Sequence, residues 1–88
     1  MSETQLYAVF LFPQAVEAAG EVLKPHLREG PQGVHLVCRE VDTGGTWFQM
    51  VIPGQTPNGE DVELEVMIPH GYVRVVVSVR DDTEMGFV

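Results

Sequence analysis

The sequence predicts an α+β domain, with a single mostly antiparallel five-stranded sheet, in chain order β-α-β-β-β-β, and one helix packed on one face. Three observations carry that expectation. Only one stretch, from Pro13 to Leu27, has apolar residues at helical spacing. The remaining apolar residues fall in β-branched and aromatic runs bounded by Gly, Pro and Asn turn signals. The chain has 88 residues, a length that supports one core, so residues 1–88 are read as one domain, with a flexible leader at 1–4 and a polar tail at 81–88. A chain of this size buries only about 60–65% of the surface its unfolded form exposes. Every apolar strand face and the helix face must therefore contribute.

The first strand is expected over residues 5–12, where Leu6, Tyr7, Val9, Phe10, Leu11 and Phe12 precede Pro13. It is apolar on both faces, which predicts a central place in the sheet. Pro13 suits a first helical turn. Val16, Ala19, Leu23 and Leu27 then form one stripe, with Glu17, Glu21 and Lys24 opposite. Pro25 restricts Lys24, so the helix should end near Leu23 or kink before Gly30.

Residues 34–41 and 46–52 read as a hairpin across Asp42-Thr43-Gly44-Gly45. A three-residue loop with a glycine in the left-handed region pairs Asp42 with Thr46. It places Val34, Leu36, Cys38, Phe48, Met50 and Ile52 on one face, and His35, Val37, Arg39, Val41, Trp47, Gln49 and Val51 on the other. Residues 53–59 give the strongest loop signal. Residues 61–68 alternate charged and apolar with period two, and 72–80 form the last strand. A two-residue turn at His70-Gly71 would set Val62, Leu64, Val66 and Ile68 opposite Val79, Val77, Val75 and Val73. On the reverse side Asp61 would meet Arg80, Glu65 would meet Val76, and Met67 would meet Arg74.

Thirteen Asp and Glu stand against five Lys and Arg, a net charge of −8. That balance repels phosphate backbones and argues against direct nucleic-acid binding. No apolar run approaches the roughly 20 residues a membrane helix needs, and the N-terminus has no signal-like pattern, so no membrane association and a cytoplasmic location are expected. A single cysteine, Cys38, makes no intrachain disulfide and fits a reducing compartment.

Catalytic and cofactor chemistry finds little footing. Cys38 points with Leu36 toward the expected core, Ser2 lies in the leader, and Ser78 sits mid-strand, so none joins a histidine base. His26, His35 and His70 show no metal-ligand spacing, and the glycines lie between strands rather than before a helix with basic residues nearby. Asp61, Glu63 and Glu65 offer carboxylates for hydrolysis, but a small open sheet has little concavity to desolvate a substrate. Accordingly no catalytic residue, cofactor or metal is assigned.

Two surfaces remain. Alternate strand residues lie about 6.6–6.8 Å apart, so Asp61, Glu63 and Glu65 form a row of like charges, which could imitate phosphates toward a basic protein. The plainer reading is the wet face of a half-buried strand. Trp47, Val37, Val41 and Val51 of one hairpin and Met67 and Val76 of the other, with Arg39 nearby, make an apolar patch that one helix cannot cover, unless the leader, the 53–59 loop or Phe87-Val88 folds over it. The expected function is a small acidic non-catalytic protein-interaction domain. Its most concrete form is an inhibitor or regulator of a basic nucleic-acid-binding protein, with self-association as a homodimer. The rivals are a small-ligand module or minor enzyme with a pocket between helix and sheet, using Tyr7, His35 or Tyr72, and a structural subunit of a homo-oligomer.

Overall fold

A computed structural model describes residues 5–80 of the chain. The expected leader 1–4 and tail 81–88 lie outside the described residues. The fold is α+β with antiparallel strands, but the strands form two sheets rather than a single five-stranded one. The elements are β1 (Gln5–Leu11), α1 (Pro13–Ala19), β2 (Arg28–Gly30), β3 (Gly33–Cys38), β4 (Glu40–Asp42), β5 (Phe48–Gln55), β6 (Asp61–Ile68) and β7 (Val73–Arg80). One sheet has the order β2-β3-β1-β7 and the other β4-β5-β6. Their inner faces share a single core: Val9, Leu11, Leu36 and Cys38 come from the first sheet, and Phe48, Met50, Ile52 and Ile68 from the second.

β1 is central, as its two apolar faces require, with β3 on one side and β7 on the other. After it, Pro13 opens α1, and Ala15 packs into the core. The α-helix stops at Ala19, earlier than the apolar spacing implies, because Gly20 takes φ 63°. Two 3₁₀ turns, Gly20–Val22 and Lys24–His26, carry the chain on, and Leu23 between them is buried with the core. Pro25 is accommodated in the first turn of the second, where no amide donor is needed. The short strand β2, not anticipated from the sequence, turns through Pro31-Gln32 so that Gly30 pairs with Gly33. Gly33 has φ 119°, a conformation that side-chain-bearing residues rarely adopt.

The expected 34–52 hairpin does not form as one ladder. The chain bends at Arg39, whose amide donates to the Val51 carbonyl at 2.8 Å. Before the bend the strand pairs with β1, and after it with β5. Cys38 faces inward, Arg39 and Glu40 are both exposed, and Val41 packs on the core, so the inside-outside alternation slips by one residue. Asp42 therefore pairs with Gln49 rather than Thr46, and the loop spans 43–47. Positive φ occurs among the described residues at Gly20, Gly33 and Gly59, not at Gly44 or Gly45. The 53–59 loop is also shorter than expected, because β5 runs through Pro53 and Gly54 to Gln55. There its register partners come from β6, while β4 pairs only as far as Val51, so the missing Pro53 amide leaves no β4 ladder bond unmade.

β6 and β7 are not a hairpin. β6 pairs with β5, from Phe48 opposite Ile68 to Gln55 opposite Asp61, and β7 pairs with β1. Pro69 and the 3₁₀ turn His70–Tyr72 redirect the chain between sheets, and Phe12 N–H bonds the Tyr72 carbonyl at 3.1 Å. The physical reason lies in the two patterns. β7 is valine-rich on both faces and completes the flank of the doubly apolar β1. β6 carries carboxylates at three successive alternate positions, Asp61, Glu63 and Glu65, and suits an edge with one wet face. The expected facing of Asp61 with Arg80 and of Met67 with Arg74 is thereby replaced: Arg80 pairs with Gln5, and Met67 with Gln49.

Candidate interaction surface

The register of β4, β5 and β6 decides which side chains share the outer face of the smaller sheet. Glu40, Val51 and Glu65 stand in one row across the three strands, and Asp42, Gln49 and Met67 in the next. Pro53 faces Glu63, and Gln55 faces Asp61, whose Oδ1 accepts a hydrogen bond from Gln55 Nε2 at 3.2 Å. The acidic row of β6 is therefore joined by Glu40 and Asp42 from the opposite edge. Five carboxylates from two strands flank β5. Arg39, the residue at the bend, sends Nη1 to within 3.5 Å of Glu63 Oε2, with both side chains more than half exposed. One cation thus offsets one of the five charges on this face.

A shallow recess of about 120 Å³ opens between Glu40, Asp42, Gln49, Val51 and Glu65. Its floor is the half-buried Val51, and its walls are carboxylates. Near one end of the face Trp47 is 52% exposed and Met67 54%. The loop that carries Trp47 is fixed at both sides. Gly44 N–H donates to Asp42 Oδ1 at 2.9 Å, and His70 Nε2 donates to the Gly45 carbonyl at 2.9 Å. The His70 ring also meets Phe48 edge-on, with centroids 6.1 Å apart. The turn that joins the sheets therefore holds the Trp47 loop in place.

The apolar patch expected from the sequence is not gathered on one face. Val37 lies on the larger sheet opposite Ala8, Val41 turns inward onto the core, Val51 sits among carboxylates, and Trp47 is in the loop. Of the interaction residues read from the sequence, Arg39, Asp61, Glu63, Glu65, Val51 and Trp47 share the β4-β5-β6 side of the molecule; Val37 and Val41 do not. Glu40 and Asp42 were missed because their outward orientation depends on the slip at Arg39. Gln49 and Met67 became neighbours only through the β5–β6 pairing.

Between helix and sheet two open recesses remain, one of about 390 Å³ bordered by Leu11, Pro13, Val16, Gly33, Val34 and Arg74 and one of about 420 Å³ along Val16, Gly20, Lys24, Leu27 and Val34, while the inner space belongs to the core. Ala15 and Leu23 pack there against Val9, Leu11 and Leu36. Tyr7 and Tyr72 border that core, whereas His35 is buried beside Phe10, on the opposite side of the sheet. These three residues do not converge. Burial pushes the Cys38 thiol up to about 12, so it is held as the unreactive protonated form. Among the described residues no three His, Cys, Asp or Glu side chains are grouped to hold a metal ion, and no helix is long and apolar enough to cross a membrane. No family model, no curated protein and no solved structure matches the chain.

Proposed function

We propose that the chain is a non-catalytic protein-interaction domain that binds a basic partner through the outer face of β4-β5-β6. The most concrete form is an inhibitor or regulator of a basic nucleic-acid-binding protein. The observation that carries the reading is the convergence of Glu40, Asp42, Asp61, Glu63 and Glu65 on one sheet face, against the single cation Arg39. Such a field speeds encounter with a positively charged surface and discriminates against acidic ones. Trp47 and Met67 at the end of the face supply apolar contact area of the kind that anchors interfaces. The test is affinity capture with two baits, the wild type and the Glu63→Lys/Glu65→Lys variant. Basic, nucleic-acid-handling proteins retained by the first and lost from the second support the reading. Identical retention by both baits overturns it.

A second reading, self-association, is favoured by the exposure of two large apolar side chains, Trp47 in the loop before β5 and Met67 on β6. A two-fold contact that buries both would be the default arrangement.

A further inference from the structure

We propose that the open recess between α1 and the larger sheet is a binding site for a small monocarboxylic acid, whose carboxylate pairs with Arg74 and whose apolar body lies along Val16 and Val34. The recess measures about 390 Å³ and is bordered by Leu11, Pro13, Val16, Gly33, Val34 and Arg74. It opens where the strands part. The β1–β3 ladder ends at Phe10 and His35, whereas Val34 and Gly33 go on pairing with β2, and Leu11 pairs with Val73. Pro13 then starts α1, which supplies Val16 to the border. The volume lies within the range of small-molecule sites, about 300–1,000 Å³, and such sites combine apolar walls with a few placed polar groups. Here Arg74 carries the only hydrogen-bonding side chain on the border.

The β7 backbone positions that arginine. Phe10 pairs with Val75 but Leu11 pairs with Val73, so Arg74 is the extra residue of a bulge. Its guanidinium stands 5.6 Å from the Phe10 ring centroid and donates from Nη2 to the Gln32 carbonyl at 3.0 Å. Gly33 keeps that place open, because a Cβ there would come within 3.3 Å of Nη2. The ring contact and the carbonyl bond hold the guanidinium fork and leave its other N–H groups to a carboxylate, which they match in bidentate geometry. Among the described residues Arg74 makes no ion pair, although thirteen Asp and Glu stand in the chain.

Charge narrows the ligand to a monoanion. The net charge of −8 repels polyanions such as phosphate esters. Val16 and Val34 also border the neighbouring recess of about 420 Å³, where Glu17, Glu21 and Glu29 stand with Lys24 as the one cation among them. A second negative group at the far end of a ligand meets those carboxylates, so that end must be uncharged and apolar. A peptide carboxy terminus fits less well, because an apolar wall leaves its amides unpaired. The site draws on β1, α1, β3 and β7 and on no residue of the smaller sheet, so it stands or falls independently of the acidic-face reading.

The test is a titration of the full chain, followed by its methyl resonances, with isocaproate, its neutral amide, adipate and a peptide ending in a free leucine carboxylate. Isocaproate should saturate and move the Leu11, Val16 and Val34 methyls, while leaving those of Val51, on the smaller sheet, in place. The amide lacks the charge, and adipate has the same carbon count with a second carboxylate. Both should bind at least about tenfold more weakly, the factor expected for one charge-assisted hydrogen bond. Arg74→Gln should weaken isocaproate by the same factor, and the wild-type comparisons decide the matter even where that variant fails to fold. No saturation by isocaproate at millimolar concentration, shifts confined to other methyls, or equal affinity for the amide or adipate overturns the proposal. Tighter binding of the peptide overturns the assignment to a small acid.

Discussion

Burial sets the chemistry of single residues here more than residue type does. Cys38 is the one nucleophile of its kind in the chain, yet its thiol is raised from 9.0 to about 12 by desolvation. Below pH 9 both folded and unfolded chains carry the thiol, so the group costs nothing. Above it the unfolded chain ionises first, and stability falls as pH rises from about 9 toward about 12, by at most about 1.4 kcal/mol per pH unit. Denaturant titrations at pH 8 and pH 10 on wild type and Cys38→Ala should show the steeper loss in the wild type; equal losses would refute the assignment. A thiol reagent at pH 8 should react with Cys38 only as fast as the chain unfolds. Gly33 is decided by backbone rather than burial. Its φ of 119° and an added Cβ only 3.3 Å from Arg74 Nη2 both oppose a side chain. Gly33→Ala is expected to destabilise by more than about 1 kcal/mol, read as a fall in denaturation midpoint at unchanged slope.

At the scale of elements, β6 separates a wet face from a buried one with period two, and that division was legible in the sequence: Val62, Leu64, Val66 and Ile68 face inward, and Asp61, Glu63 and Glu65 outward. Its partner was not legible. The turn residues His70-Gly71 are compatible with a hairpin, and only the competition for β1 sends β7 to the other sheet. The division yields a prediction. Glu63→Lys/Glu65→Lys removes the exposed ion pair with Arg39 but disturbs no core contact, so it should change stability by under about 1 kcal/mol. For a chain of this size that is a Tm shift within about 8 °C. A larger drop by calorimetry would show that the acidic face is structural rather than a surface for a partner.

For the whole molecule, charge and exposed apolar area make opposite demands. A net charge of −8, with five carboxylates gathered on one sheet face, should prevent binding to DNA or RNA, and a gel shift at low salt checks this. Saturable binding there would contradict the charge argument. Trp47 and Met67 lie beside that face, and if they mediate self-association, sedimentation at high micromolar concentration should show a dimer that Trp47→Ala dissociates. A monomer in both cases removes the second reading and leaves the first.

The sequence by itself determined the α+β class, the central place of β1, the core identity of Leu36, Cys38, Phe48, Met50 and Ile52, and the wet face of β6. All of these follow from local patterns: two apolar faces, period-two alternation, and turn residues next to apolar runs. Tertiary structure alone decided that there are two sheets, that Val41 turns inward while Glu40 and Asp42 turn outward, and that Arg74 swings over Phe10. Each rests on a one-residue slip, at Arg39 in one strand and at Arg74 in the other. A slip costs little locally, because either phase leaves an acceptable strand. It is chosen by which phase lets both sheets bury their apolar faces on one another, a choice that exists only once the strands are together.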